Sequence, residues 1–349
     1  MDYYGFNLVG AYAGRPHIEA IDDLLDLIES ADGWGLDGWY FAEHHGQPLF
    51  SLSSAPSLLI AAAARRTTNI RLGTMVNVLP FLHPARLADE LRTLDALCGG
   101  RLDVGFGRGQ IRVEQHAFGV DRSATVAMFD AAFDIVVRLL RGETVDYDTP
   151  WWNGSDAIAV PEATQTPTPP LWISAASIDS IEKCAMLGVG CATALLTREI
   201  ADERMAQYRK FWTEYQPQRS GEARFAIAAT IAVADNEDEA IAQVAQDLQE
   251  KQEHFAHSIS DKPGADDETY STHKPVYEAY ATSTLASMLD DGLLIAGSVE
   301  QCIDQVARIR ARGVDRLICT FHNGQADFDF SKRSLELFTT QVIPAVSNG

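Results

Sequence analysis

The sequence predicts a closed barrel of eight parallel strands, each followed by a helix, the (β/α)8 or TIM barrel. Short apolar segments of strand length alternate with longer segments whose apolar residues recur at helical spacing, and eight such alternations can be counted. This alternation implies parallel strands, and eight of them imply closure. An open doubly wound sheet is the alternative. No repeat or linker divides the 349 residues, so we expect one domain over 1–349.

The predicted strands are short apolar runs that end at turn-forming residues. In order, they occupy residues 6–11, 38–43, 70–76, 101–106, 171–175, 191–196, 225–233 and 316–321. In a barrel of this kind the functional groups lie at the C-terminal ends of the strands. Those ends therefore locate the candidate site.

The predicted helices carry apolar stripes at spacings of three and four residues, as at 21, 24, 25, 28 and 31. Pro56 and Pro84 suit first helical positions, and Gly99 suits a C-terminal cap. The helical segments are predicted near residues 21–31, 56–64, 84–98, 126–140, 177–187, 199–215, 237–255, 276–291, 299–312 and 335–342.

Two segments interrupt the alternation. Residues 143–170, which contain Trp151-Trp152 and are rich in Thr and Pro, predict an excursion after the fourth helix with short extended pieces. Residues 257–297 predict an insertion between the last two strands. Its polar part, 257–275, is expected to be a mobile loop and is a candidate lid.

Composition and charge narrow the function. The net charge is −21, from 28 basic and 49 acidic residues, which argues against binding to nucleic acid or to an anionic membrane. Five scattered cysteines with no CxxC motif favour a reduced, cytoplasmic protein. We expect no signal peptide and no membrane span, because neither a basic start before an apolar run nor a stretch of ~20 apolar residues occurs.

An acid and two imidazoles, Glu43-His44-His45, stand at the tip of the second predicted strand. Successive strand side chains point to opposite faces, so at most one imidazole needs to face the barrel mouth. Histidine suits proton transfer near neutral pH. The alternatives are a surface pair without a task and a metal site. No further ligand at a suitable spacing supports a metal, and none is predicted.

Two further segments could bind an anion. Gly105-Phe106-Gly107-Arg108-Gly109 follows the fourth strand, where glycines permit close backbone approach and Arg108 can pair with a phosphate. A plain strand-to-loop turn is the alternative. Ser174 to Ser177 joins the fifth strand to a helix, and hydroxyls at Ser177 and Ser180 with free N–H groups could hold an anion. Simple helix capping by Ser177 is the alternative.

Together these segments resemble the bacterial luciferase-like flavin monooxygenase family, in their residues and in their spacing. The matching segments are 38–45 (GWYFAEHH), 69–74 (NIRLGT), 78–86 (VLPFLHPAR), 94–102 (LDALCGGRL) and 105–109 (GFGRG), with later similarity at 297–300 and 313–315. The resemblance covers residues 1–140 most strongly, 165–235 and 297–321 less so, and 240–292 weakly.

The resemblance implies a TIM barrel that binds reduced FMN at its C-terminal mouth, supplied by a separate flavin reductase. With O2 the flavin would form a C4a-(hydro)peroxyflavin that oxygenates a small, largely apolar organic substrate. It also implies a homodimer. Two alternatives stay open within the same fold: an oxidoreductase that uses the deazaflavin F420 and transfers hydride, and a non-catalytic flavin-binding relative.

The resemblance also implies roles for individual residues. His44 would be the catalytic imidazole and His45 its supporting neighbour. The Met75–Val76 bond would be a non-proline cis peptide beside the flavin ring, and Met75, Val76 and Asn77 would bind the cofactor. Arg108 would hold the FMN phosphate, and that site would be completed by Ser174, Ser177 and Ser180.

Three positions depart from the luciferases proper. Gly107 stands where they have a reactive cysteine, Val126 where they have a second arginine, and Ala176 where they have a glutamate. Light emission is therefore not implied. Without the second arginine, the phosphate is expected to be held more weakly or by differently placed groups.

Overall fold

The computed structural model describes residues 1–8, 16–48, 50–260, 274–321 and 327–348. Within them, eleven strands of four to nine residues form one nine-stranded sheet and one two-stranded hairpin. The strands are β1 (Asp2–Asn7), β2 (Gly38–Phe41), β3 (Arg71–Val78), β4 (Leu102–Gly107), β5 (Val145–Asp148), β6 (Asn153–Ala157), β7 (Leu171–Ser174), β8 (Gly190–Thr193), β9 (Phe225–Val233), β10 (Leu294–Gly297) and β11 (Arg316–Thr320).

Eight of these strands close into a parallel barrel in the order β1-β2-β3-β4-β7-β8-β9-β11. The last strand returns to the first, with Tyr4 paired to Ile318, and β8 joins β9, with Ala192 paired to Ala226. The predicted (β/α)8 barrel is therefore confirmed, and the open doubly wound sheet is excluded. The C-terminal ends of all eight strands meet at one mouth.

The sequence prediction missed strand β10. Thr230 of β9 pairs with both Leu294 of β10 and Thr320 of β11, so β10 lies on the edge of β9 opposite β11. That is the edge that β8 occupies nearer the start of β9. The short apolar run of β10, which lies inside the predicted insertion between Gly292 and Gly297, is the strand signal at this position.

The helices surround the barrel. They are α1 (His17–Trp34), α2 (Pro56–Arg66), α3 (Pro84–Cys98), α4 (Arg112–Ala117), α5 (Thr125–Leu140), α6 (Ile178–Leu187), α7 (Arg198–Tyr215), α8 (Glu237–Ser260), α9 (Lys274–Ala281), α10 (Leu285–Asp291), α11 (Val299–Ala311), α12 (Phe328–Leu337) and α13 (Ile343–Asn348). Pro84 starts α3 and Gly99, in the left-handed conformation, ends it as predicted. Among the described helices, none combines the length and the apolarity needed to cross a bilayer.

Several predicted boundaries were wrong. β1 begins at Asp2 rather than at residue 6, because the Asp2 N–H donates to the Asp315 carbonyl at 2.8 Å and continues the pairing with β11. β2 ends at Phe41, since the chain then turns and the His44 N–H donates to the Ser53 carbonyl at 3.0 Å. The helix predicted over 276–291 is two helices, α9 and α10, with Thr284 capping the second.

The structure describes the predicted excursion completely and the predicted mobile loop only in part. Residues 143–170 contain the antiparallel hairpin of β5 and β6. Of the predicted mobile loop 257–275, residues 261–273 lie outside the described part of the chain, as do residues 9–15 of the first predicted strand and its exit.

A buried polar cluster fills the N-terminal end of the barrel. The Arg316 guanidinium lies 3.7 Å from the Tyr4 ring centroid and 4.4 Å from that of Trp172. The fully buried Asp103 carboxylate accepts hydrogen bonds from Arg316 at 2.8 Å, Arg71 at 2.6 Å and the Tyr4 hydroxyl at 3.1 Å. Burial raises the pKa of Tyr4 well above its ordinary value, so its hydroxyl stays a donor. This end of the barrel is therefore a packed support for the opposite end.

Candidate active site

A cavity of about 730 Å³ opens at the C-terminal ends of the barrel strands. Every barrel strand or the residues just after it contribute to its wall. The contributors include Phe6, His44, Met75, Val76, Arg108, Ser174, Thr193, Ala228 and Thr320. A volume in this range suits a small-molecule or cofactor site. Active sites of TIM barrels lie at this end of the barrel, at the C-terminal ends of the strands.

His44 lies in the cavity wall and pairs with a buried carboxylate. Its Nδ1 atom is 3.1 Å from Oε1 of Glu114, whose side chain is 2% exposed. The same oxygen accepts the His45 backbone N–H at 2.9 Å. A carboxylate at Nδ1 favours the tautomer with its hydrogen there. Nε2 is then the ring nitrogen that can exchange a proton with a ligand.

Glu114 was missed by the sequence prediction. It lies on α4, a helix of six residues in the connection after the fourth predicted strand, for which the sequence predicts no regular element. So short a helix produces no apolar stripe, and nothing local links residue 114 to residue 44. The one available signal was an acidic residue soon after the Arg108 loop, at the mouth of the predicted barrel.

His45 lies outside the cavity wall and supports it from behind. Its Nε2 atom is 3.0 Å from Oε1 of Glu43, and its ring packs edge-on against Phe118 with centroids 4.6 Å apart. The other Glu43 oxygen accepts the Val78 N–H at 2.7 Å. Glu43 thus joins the tip of β2 to the end of β3. The two imidazoles, each with its own carboxylate, form one connected network.

Strand β3 carries a non-proline cis peptide at Met75–Val76, the bond that the family resemblance implied. Both residues line the cavity. Glycines in β4 make room for this segment: a Cβ on Gly105 would lie 2.3 Å from the Thr74 carbonyl oxygen, and one on Gly107 would lie 2.3 Å from Val76 Cγ2. The GxG pattern therefore serves the close approach of β3 to β4 as well as the loop that follows.

Asn77 was predicted to contact the cofactor, but the structure does not bring it to the cavity wall. Its side chain is buried, and Nδ2 donates to Thr74 Oγ1 at 2.7 Å and to the Gly105 carbonyl at 3.2 Å. These bonds hold the irregular part of β3, where the register with β4 shifts between Thr74 and Asn77. Asn77 is a support for Met75 and Val76.

Arg108, Ser174, Ser177 and Ser180 all line the cavity. Ser177 also caps α6, because its Oγ accepts the Ser180 N–H at 3.3 Å. The two alternatives for this serine are therefore compatible: it caps the helix and it forms part of the wall. The Ser177 hydroxyl donates to Ser180 Oγ at 2.9 Å, and the Ser180 hydroxyl donates to the Ser177 carbonyl at 2.8 Å.

The wall has a fixed order around the barrel. His44 follows β2, the cis peptide is in β3, Arg108 follows β4 and Ser177 follows β7, and these four strands are consecutive neighbours. Three strand spacings separate the first from the last, roughly 14 Å. An acid–base group thus stands at one side of an elongated cavity and a cation with hydroxyls at the other. Within the described residues, no group of His, Cys, Asp or Glu is arranged to hold a metal.

A barrel whose strand ends enclose a cavity, with an acid–base pair on one side and a cation on the other, has the form of an enzyme site. The chain belongs to the luciferase-like monooxygenase family, whose model matches residues 4–316. The resemblance recognised in the sequence is thereby confirmed, and with it the class of enzyme.

Relatives of known activity extend over nearly the whole chain. Limonene 1,2-monooxygenase of Rhodococcus erythropolis is 27% identical over 340 residues, which cover 93% of this chain and 81% of the relative. The oxygenase component of the flavin-dependent trigonelline monooxygenase of Acinetobacter baylyi is 26% identical over 342 residues, covering 93% and 90%. Both are named monooxygenases, and the second is one component of a flavin-dependent system.

Solved structures share the fold. The oxygenating constituent of 3,6-diketocamphane monooxygenase from Pseudomonas putida, in complex with FMN, superposes with a TM-score of 0.79 at 19% identity and 98% coverage of both chains. An F420-dependent secondary alcohol dehydrogenase superposes with a TM-score of 0.77 at 17% identity and 99% coverage of both chains. At these identities the likeness shows the fold and leaves the choice of flavin to the site.

Proposed function

We propose that this enzyme is an FMN-dependent monooxygenase that takes reduced FMN from a separate flavin reductase. It uses O2 to oxygenate a small, largely apolar organic molecule. One observation carries the proposal: the His44–Glu114 pair and Arg108 stand on either side of the cis peptide Met75–Val76 in the wall of one cavity. Reduced FMN supplies the electrons for O2 activation, with one oxygen atom going to the substrate and the other leaving as water.

The donor set and shape of the cavity fit FMN. Arg108 offers a guanidinium to a phosphate, and the apolar Met75 and Val76 offer a flat contact to a ring system. Thr193 is also in the wall and is only 4% exposed, yet its hydroxyl has no hydrogen-bond partner among the described residues. A buried hydroxyl of this kind is normally satisfied, so a polar atom of a bound ligand is a natural partner for it.

Different residues in and around the cavity wall bind the phosphate, support the flavin ring and hold the strand that carries this support. Arg108 binds the phosphate, and Ser174, Ser177 and Ser180 shape that end of the cavity. Met75 and Val76 support the ring, Asn77 holds their strand from behind, and Glu43, which is itself in the cavity wall, binds the end of that strand. His45 holds Glu43 in turn. Preorganisation of this kind places the reacting atoms without further rearrangement.

His44 moves a proton at Nε2. When the imidazole accepts that proton, the buried Glu114 carboxylate at Nδ1 stabilises the positive charge. When it returns the proton, the same contact holds the ring in place. Such a positioned acid–base group contributes about 10²–10⁴ in rate. The aromatic ring of Phe50, 4.8 Å from the imidazole centroid, shields one side of it.

The rest of the cavity is largely apolar, which supports the proposed substrate class. Leu8, Phe50, Ile111 and Val276 are in its wall, along with Phe6. A limonene-oxidising relative at 27% identity supports the same class. Hydride transfer with F420 is the second candidate, since an F420-dependent dehydrogenase shares the fold. A homodimer and a cytoplasmic location stay predictions. The five buried free cysteines are consistent with a reducing compartment.

A reductase-coupled reaction under ¹⁸O2 tests the proposal. The protein is supplied with FMN, NADH and a flavin reductase, together with a panel of cyclic terpenes and cyclic ketones. We expect ¹⁸O in a product with the native enzyme and with His17→Ala, which changes an exposed histidine at the start of α1. We expect His44→Ala to form less than about one-hundredth of the labelled product, since an acid–base group contributes about 10²–10⁴ in rate. Substrate turnover with reduced F420 and no label from ¹⁸O2 would replace the proposal with the second candidate.

A further inference from the structure

We infer that Lys183 is the second cation of the phosphate subsite and that it selects phosphorylated flavin over riboflavin. The inference rests on the proposed function, because it assigns the FMN phosphate to the Arg108 side of the cavity. Among the described residues of the cavity wall, Arg108 and Lys183 are the side chains with a permanent positive charge. Lys183 is on α6, three residues after Ser180 and therefore on the same side of the helix, and it lines the cavity together with Ser180 and the N-cap residue Ser177.

The hydroxyls of Ser177 and Ser180 are already engaged, which leaves a role for a second cation. A phosphate dianion only accepts hydrogen bonds, and each serine hydroxyl has one hydrogen to give. The Ser177 hydroxyl gives its hydrogen to Ser180 Oγ, and the Ser180 hydroxyl gives its own to the Ser177 carbonyl. Neither serine can serve the phosphate unless it breaks a bond that it already has. The Ser177 and Ser180 hydroxyls therefore shape the subsite, and charged side chains add donors to those of the Ser174 hydroxyl and the backbone N–H groups at the start of α6.

Lys183 can supply one without losing its present partner. Its ammonium group carries three hydrogens. Nζ lies 2.6 and 2.8 Å from the two carboxylate oxygens of Asp130 on α5. Both side chains are partly exposed, at 32% and 49%, so this ion pair is weak and its geometry can adjust. Asp130 holds Lys183 at the rim of the cavity and competes with the ligand for its charge.

The test compares the affinities of FMN and riboflavin, which differ only in the phosphate. Binding of each oxidised flavin to the full-length protein is followed by quenching of flavin fluorescence. Lys183→Met removes the charge at nearly constant side-chain volume, and Lys183→Arg keeps it. Lys210→Met, at an exposed position on α7 that is not part of the cavity wall, is the matched control for loss of one positive charge.

We expect Lys183→Met to lower the preference for FMN over riboflavin about fivefold. This corresponds to a contact stronger than an exposed ion pair and weaker than a full charge-assisted hydrogen bond. Lys183→Arg should restore most of the preference, and Lys210→Met should not alter it. Asp130→Asn should raise the preference, because it frees Lys183 from its competitor. These opposite shifts from two partners of one ion pair cannot come from a general loss of folding.

The outcomes separate this inference from the proposed function. If the native protein prefers FMN and Lys183→Met keeps the full preference, the role of Lys183 is overturned and the proposed function stands. If the native protein binds FMN and riboflavin equally, the placement of the phosphate is wrong, and both fail.

Discussion

Replacing Gly105 by alanine tests whether the cis-peptide segment of β3 is the support of the flavin site. A Cβ at this position would lie 2.3 Å from the backbone carbonyl oxygen of Thr74 and 3.3 Å from Met75 Sδ. A backbone oxygen cannot rotate away as the end of a side chain can, so β3 or β4 must move. The Asn77 amide, which donates to the Gly105 carbonyl at 3.2 Å, would lose its geometry in the process.

The size of the effect follows from these contacts. Overpacking costs about 1–3 kcal/mol and the disturbed buried hydrogen bonds about 1 kcal/mol more, so we expect a loss of about 2–4 kcal/mol in the free energy of unfolding. The movement displaces Met75 and Val76, and FMN affinity should fall about tenfold or more, since each 1.4 kcal/mol is a factor of ten.

The assay combines urea unfolding with fluorescence titration of FMN. Gly33→Ala is the control, because a Cβ on that α1 glycine meets no atom within 4 Å. It should be neutral or stabilise by up to about 1 kcal/mol. If Gly105→Ala unfolds at the same urea concentration as Gly33→Ala and binds FMN as the native protein does, the close approach of β3 and β4 does not support the site.

Other predictions address the remaining parts of the site and the fold. His44→Ala should leave FMN affinity within about twofold but abolish most oxygenation, since an acid–base group contributes about 10²–10⁴. Glu114→Gln should lower the oxygenation rate about tenfold through the weakened hydrogen bond to His44, again with little change in FMN affinity. Arg108→Met should weaken FMN binding about tenfold in the same titration and leave riboflavin unaffected. Asp179→Asn should tighten FMN binding about twofold, as it removes an exposed carboxylate from the cavity wall. Asp103→Asn should destabilise the fold by about 3–5 kcal/mol in urea unfolding, because it leaves buried Arg316 with only the exposed carboxylate of Asp2 as a counter-charge.

The barrel and half of the site could be predicted because their signals are local. Apolar runs and helical stripes repeat along the chain, and in a parallel barrel the strand ends meet by construction. His44 and Arg108 come directly after such strands, so a strand prediction correct to within two residues was enough to bring them together.

What could not be predicted depends on contacts between distant segments. Glu114 reaches His44 across 70 positions from a six-residue helix, and no sequence period marks it. In the sequence, Lys183 cannot be distinguished from other charged residues on a helix surface, and only the structure shows that it lines the cavity. The family resemblance implied Asn77 as a cofactor contact, whereas the Asn77 amide donates to the Gly105 carbonyl. Where a strand is irregular, packing decides which face of the sheet a side chain occupies. The alternation of residues in the sequence does not predict that face.

An anaerobic equilibrium titration with reduced FMN and with reduced F420 tests the central claim most directly. The cavity has Arg108 and the serines at one side and the His44–Glu114 pair at the other. We predict that each chain binds one reduced FMN and that it does so more tightly than reduced F420, with the preference lost in Arg108→Met. Tighter binding of reduced F420, or no binding of reduced FMN, would contradict the assignment of this cavity as an FMN site.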